Sequence, residues 1–326
     1  MASSSNKKLL ILYVLQVLKD YSDEDHPMLQ EEICKKILSL YGMECERKAI
    51  GANISCLEDF GYDIIHIKNK GVYLGEREFE SSEITFLIDA IFSSKVINQK
   101  NSKELSKKLY SFLSINKRKQ FNYIYKVDGI AKSDNNQLFL TIEIINEAIE
   151  NKRQIAFDYC GITYSPSTPA KRRVVSPFFM FNSQGNYYLV CSNGLENGLA
   201  NYKVDRISNI TITNDCALKL RDFPEYKDGF DKAKYVNEHI YAFSGKSINA
   251  TLKLHADFII NNVKEWFDNA RIYQKDGELL ADIRSNEKAL IYWCLQYGYY
   301  VELITPTESR LEIKKIIEEM KNRYND

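Results

Sequence analysis

Arg206 closes the run Tyr202-Lys203-Val204-Asp205-Arg206-Ile207. Read as a strand, that run places Tyr202, Val204 and Arg206 on one face, because strand side chains alternate. An arginine beside a tyrosine offers a fork of donors to a phosphate or carboxylate. An exposed edge charge is the other reading of the same residues. The run just before it, Tyr187-Tyr188-Leu189-Val190, is a second short strand launched from a turn at 182–186. Elsewhere, Lys117-Arg118-Lys119 precedes Phe121, Tyr123 and Tyr125. Charge interleaved with rings can bind single strands, but a short basic cluster at a helix end more often faces solvent or complements the helix dipole. The second reading is preferred.

Catalytic patterns are missing. His26, His66, His239 and His255 have no metal-ligand spacing such as H-E-x-x-H. The cysteines form no C-x-x-C pair and no zinc spacing. There is no P-loop, no dinucleotide fingerprint after a strand and no G-x-S-x-G elbow. These observations point away from an enzyme, and neither a cofactor nor a metal is expected.

Composition narrows the class further. The chain has 326 residues, room for two or three domains. Its 44 basic and 44 acidic side chains cancel, so the whole protein is not a polycation coating nucleic acid. One basic face on one domain remains compatible with that balance. The apolar run at 9–18 is far shorter than the roughly 20 residues a membrane span needs. It follows only Lys7 and Lys8 and carries no cleavage-site pattern. With seven scattered cysteines, the expectation is a soluble cytoplasmic protein with reduced thiols and no membrane partner.

Residues 9–18 read as a buried helix. A second helix over 30–41 has Ile33, Ile37, Leu38 and Tyr41 at helical spacing and a stop at Gly42. A third, over 46–60, turns Ile50, Ile54 and Leu57 inward and stops at Gly61. Ile64-Ile65-His66-Ile67, a turn, and Val72-Tyr73-Leu74 make a two-stranded ribbon. Three helices followed by a hairpin resemble the winged helix-turn-helix of bacterial repressors. That resemblance implies a recognition helix with Arg47, Lys48, Asn53 and Ser55 outward, and a wing carrying Lys68 and Lys70. Gly51 and Ala52 stand where such helices usually carry basic residues. A helical module that never touches DNA is the alternative.

Helices follow at 84–91, 103–113 and 139–150, then a set of short strands. Ile155, Phe157 and Tyr159 alternate on one; Lys171-Arg172-Arg173-Val174-Val175-Ser176-Pro177 and 178–181 follow a loop at 165–169. With 187–191 and 202–213 they suggest a small barrel. The order I-x-F-x-Y, V-x-P, Y-Y-L, then Y-K-V-D-R-I resembles the WYL-domain family of bacterial transcriptional regulators. Tyr187 replaces the name-giving tryptophan, and Ala200 stands where the family often has an arginine. The resemblance spans the chain, since those proteins carry a winged helix-turn-helix in front and an extension behind. It implies an Sm-like or SH3-like barrel sensing a nucleotide or nucleic acid, with Tyr159, Ser176, Tyr188, Tyr202 and Arg206 lining the site and Arg172 and Arg173 nearby. For the tyrosines, barrel core is the competing reading.

Residues 246–326 read as βαββαβα, a ferredoxin-like order. The chain is therefore expected to be an α+β multidomain protein: winged helix-turn-helix at 1–80, helical connector at 81–150, WYL barrel at 151–245 and extension at 246–326. The expected role is a homodimeric, ligand-responsive regulator, a repressor, binding a double-stranded operator. An accessory protein that binds single-stranded nucleic acid without promoter recognition is the alternative.

Overall fold

The computed structural model describes residues 4–120, 132–160 and 170–324. It divides into two units, Met1–Asp134 and Asn135–Asp326, each considered by itself.

In the first unit, α1 (Ser4–Tyr21), α2 (Gln30–Tyr41) and α3 (Arg47–Phe60) precede the hairpin β1 (Ile64–Ile67) and β2 (Gly71–Leu74). Apolar residues at helical spacing explain the packing: Val14, Val17 and Leu18 of α1, Ile33 and Ile37 of α2, and Ile50, Ile54 and Leu57 of α3 are all buried in one core. The hairpin is fixed along β2, next to its turn. Met28, in the α1–α2 connection, exchanges both backbone hydrogen bonds with Val72, at 2.8 and 2.9 Å. Gly71 lies so close that an added Cβ would sit 2.1 Å from the Met28 carbonyl oxygen, so only glycine fits.

Helices α4 (Ser81–Ser93), α5 (Gln99–Tyr110) and α6 (Ile115–Gln120) complete this unit. Asp23, 5% exposed, is its polar hub. Its carboxylate accepts from the Ser114 hydroxyl and lies 2.6 Å from His26 Nδ1. Burial opposes the charge, but the hydrogen bonds from Ser114 and His26 outweigh it and hold the carboxyl below its ordinary range.

The second unit opens with α7 (Leu138–Glu150). Expected in the connector, this helix packs on three strands of the sheet that follows. The five strands of that sheet are β3 (Arg153–Tyr159), β4 (Lys171–Ser183), β5 (Asn186–Ser192), β6 (Ala200–Lys203) and β7 (Ile207–Cys216), and α7 lies on β3, β4 and β7. Among the described residues their order is β6-β5-β4-β3-β7. The expected strand over 202–213 is broken: Val204–Arg206 form a 3-10 turn. In a flat sheet the outer strands would lie about 19 Å apart, four spacings of roughly 4.8 Å. Four residue steps from Lys203 to Ile207 reach at most about 14 Å. The sheet must therefore roll until its edges meet at that turn. Strand β4 does the bending. Its first half pairs with β3, its second with β5, and the register slips between Pro177 and Phe179, where a residue without an N–H is tolerated.

After α8 (Lys232–Glu238) comes a second sheet with helices: β8 (Ser247–Leu254), α9 (Ile259–Trp266), β9 (Arg271–Lys275), β10 (Glu278–Asn286), α10 (Glu287–Gln296), β11 (Val301–Thr305) and α11 (Thr307–Arg323). Its strand order is β11-β8-β10-β9, antiparallel throughout. Ala250, Leu252 and Leu254 alternate inward along β8 and bury against Ile259, Val263 and Trp293.

Candidate functional site

The junction where the rolled sheet closes gathers the chemistry. Tyr159 ends β3 and pairs with Ile207, just after the 3-10 turn; Tyr188 of β5 pairs with Lys203, just before it. Tyr202 of β6 meets Tyr159 edge-to-face, with ring centroids 4.8 Å apart, and packs on buried Phe157 at 5.4 Å. Tyr188 stacks on Phe181 at 5.5 Å. The Tyr159 hydroxyl accepts from the Lys203 amide at 3.3 Å. Burial pushes the Tyr188 hydroxyl up, with Arg206 pulling it down. Tyr202 is raised chiefly by burial, with Arg173 opposing. The two guanidiniums thus act on the same ring cluster, and both phenols remain neutral donors near pH 7.

Two polar atoms here are solvent-shielded and, among the described residues, have no hydrogen-bond partner: Asp205 Oδ1 and Arg173 Nε. The turn itself is stapled from outside. Asn135 Nδ2 donates to the Asp205 carbonyl at 3.0 Å and to the Ile207 carbonyl at 3.4 Å, while its Oδ1 accepts from the Gln137 amide at 2.7 Å. Nothing in the sequence around Asn135, a run of turn-type residues ahead of a helix, marked it for this role.

Residues 141–212 match the WYL domain family. The chain contains a WYL domain. The match begins inside α7 and ends in β7, so it takes in the rolled sheet and the closing turn. No curated protein sequence matches the chain. Similar solved structures include proteasome accessory factor B/C (PafBC) of Arthrobacter aurescens, 18% identical with a TM-score of 0.32, covering 97% of this chain and 49% of that one. A CRISPR Cas-related protein is 16% identical with a TM-score of 0.40, covering 100% of this chain and 88% of that one. The chain spans about half the length of PafBC.

Within the WYL domain, Tyr159, Tyr188 and Tyr202 lie at this junction, with Arg173 and Arg206 acting on their rings. Arg206 ends the 3-10 turn and does not share a strand face with Tyr202. Two expected lining residues are placed elsewhere. Arg172 pairs with Asp158 across the ladder, and so faces opposite to Arg173, which pairs with Phe157. It is engaged there with Asp158 Oδ1 at 3.2 Å, the Asn209 carbonyl at 2.8 Å and Thr211 Oγ1 at 3.2 Å. The Asn209 hydrogen bond, then Arg172, hold the Asp158 carboxyl low. Ser176 is fully buried, and its hydroxyl accepts from the Leu218 amide at 2.9 Å. Asp205 lies close enough to Tyr188 for its charge to raise that hydroxyl further.

In the first unit, Lys48 and Ser55 on α3 and Lys68 and Lys70 in the hairpin turn are exposed. Arg47 is held by Glu31 at 2.9 Å. Asn53 bends back onto its own helix, donating to the Ala49 carbonyl at 2.7 Å. A Cβ at Gly51 would come 3.1 Å from Gln30 Nε2, the movable end of a side chain on α2. His66 of β1 reaches Glu58 of α3 at 2.7 Å, tying hairpin to helix. Lys117 binds Glu24 and Asp25 at 2.9 and 3.0 Å, and Arg118 reaches Asp20 at 3.3 Å. Those two cations serve the scaffold; their expected aromatic companions Phe121, Tyr123 and Tyr125 lie outside the described residues.

Two cavities of the second unit lie away from the closing turn. One of about 970 Å³ reaches Tyr226, Phe230, Glu238 and Arg284; the other, about 1110 Å³, runs along α11 past Leu311, Ile317 and Met320. In the first, Glu238 and Arg284 already satisfy each other at 3.0 Å. Neither cavity brings two arginines and three tyrosines together. Among the described residues no His, Cys, Asp and Glu side chains are grouped to hold a metal, and no helix is long and apolar enough to cross a membrane.

Proposed function

We propose that the chain is a ligand-responsive DNA-binding transcriptional regulator, a homodimeric repressor whose WYL domain senses a nucleotide or single-stranded nucleic acid. The observation carrying this reading is the closing turn. Among the described residues Arg173 Nε has no hydrogen-bond partner, and Arg173 and Arg206 both act on a cluster of half-buried tyrosines. Guanidiniums suit phosphate and rings suit bases. The chemistry is binding, not catalysis.

In this reading the three helices and hairpin act as a winged helix-turn-helix, the rolled sheet as an Sm-like or SH3-like barrel, and the last sheet as a ferredoxin-like extension. The division at 1–80, 81–150, 151–245 and 246–326 is part of the same proposal. A dimer would set two α3 helices in successive major grooves, about 34–36 Å apart. Ligand at the turn would favour one of two domain arrangements and so change operator affinity. Gel shifts with the promoter of its own gene test the regulator reading. Binding that is sequence-dependent and weakens with salt is expected; binding indifferent to sequence would overturn it.

A second reading is favoured by α3 itself, where Arg47 is paired with Glu31 and Asn53 is turned inward. With few side chains left for base edges, the protein would instead be an accessory binder of single strands. Higher affinity for a single-stranded oligonucleotide than for the promoter duplex would select it.

A further inference from the structure

We infer that Asp205 makes the WYL site selective for a guanine base. This rests on reading the closing turn as a nucleotide site. Asp205 Oδ1 is shielded from water and accepts no hydrogen bond among the described residues, although Arg173 and Arg206 share the site. An unpaired, desolvated acceptor is costly, and folded proteins keep few of them. Internal relief is blocked because Asn135 holds the backbone on both sides of Arg206, at the Asp205 and Ile207 carbonyls. Arg173 Nε is the complementary case, a shielded donor without an acceptor.

A ligand that completes this site must bring N–H donors to the carboxylate, acceptors to the guanidiniums and a flat face to the tyrosines. Inorganic phosphate brings acceptors only and would meet Asp205 as a like charge. Guanine brings all three: adjacent N1–H and N2–H donors suit a carboxylate, while O6 and N7 suit arginine. Adenine and cytosine set a ring-nitrogen acceptor beside their amino group, opposite the carboxylate. Uracil has one N–H between two carbonyls. A site built around hydrogen-bonding groups rejects bases that leave those groups unpaired. A free nucleotide and a short single strand are the two sources of that base.

Calorimetric titration of the full chain decides the matter, using guanosine, adenosine, cytidine, uridine and xanthosine monophosphates, inorganic phosphate, and 5′-phosphorylated tetranucleotides with or without guanine. Guanosine monophosphate, or the guanine-containing strand, should bind about tenfold or more tighter than its adenine counterpart. Asp205→Asn should lose that preference and bind xanthosine monophosphate better than the native protein does, because an amide can donate to the second xanthine carbonyl. Equal affinity for guanine and adenine ligands, or an unchanged preference in Asp205→Asn, would overturn the inference and leave the nucleotide reading standing. Binding of no nucleotide or strand by the native protein would instead sink that reading, and the inference with it. Should Asp205→Asn fail to fold, the base ranking of the native protein decides alone.

Discussion

The α3–hairpin surface and the closing turn of the WYL domain both present basic side chains, but they hold them in opposite ways. On α3 and the hairpin, Lys48, Lys68 and Lys70 stand in solvent, and Arg47 rests on an exposed acid. Charges of that kind attract a polyanion through counterion release and specify little. At the closing turn the arginines act on half-buried rings near a carboxylate with one shielded oxygen. There each donor has a fixed direction, and what binds must match it. One surface should therefore be sensitive to salt and the other to the identity of the ligand.

Arginine substitutions should break that contrast most strongly. Arg206→Ala should weaken nucleotide binding by about a hundredfold, the scale of a lost charge-assisted contact in a partly buried site, with the melting temperature and duplex affinity unchanged. Arg172→Ala, on the other face of the sheet, should leave ligand affinity as it was; equal losses from the two, measured by calorimetry, would refute the face assignment. The hairpin comes next. Lys68→Ala with Lys70→Ala should lower duplex affinity about tenfold and reduce the slope of log affinity against log salt by about 2, without touching nucleotide binding. The smallest effect concerns the scaffold beneath the lysines. The Asp23 carboxyl titrates lower in the folded protein than its unfolded value near 3.9. Its stabilisation is therefore complete above that unfolded value and is lost as pH falls through the folded one. Asp23→Asn should cost roughly 1–2 kcal/mol at neutral pH and flatten the acid limb of melting curves recorded between about pH 2 and 7. A limb as steep as the native one would show that other carboxylates cause it.

Much of the fold was legible because it depends on local rules. Ile33, Ile37, Ile50 and Ile54 announced two amphipathic helices, and Gly42 and Gly61 end them. The alternation of Ala250, Leu252 and Leu254 announced β8. What escaped depends on distant partners. Val204-Asp205-Arg206 has strand-like neighbours on both sides, and only the need to join two opposite edges of one sheet bends it into a turn. Ser176 looked like a lining hydroxyl, yet Leu218, 42 residues away, claims it. The opposite facing of Arg172 and Arg173 was readable from alternation along β4, whereas Asn135 gave no local signal at all.

Gly71 gives the first unit a mechanical character. Because the start of β2, right after the turn, is laced to Met28 with no room for a side chain, β2 and the α1–α2 connection move as one body, and the span from α3 to the hairpin tip is set by the scaffold. For anyone redesigning the protein, this separates two kinds of position. The Lys68–Lys70 tip is interchangeable, a place to rewrite contacts at little cost to folding. Gly71 is a rivet, and any other residue there would pry the hairpin from the helices it reports to.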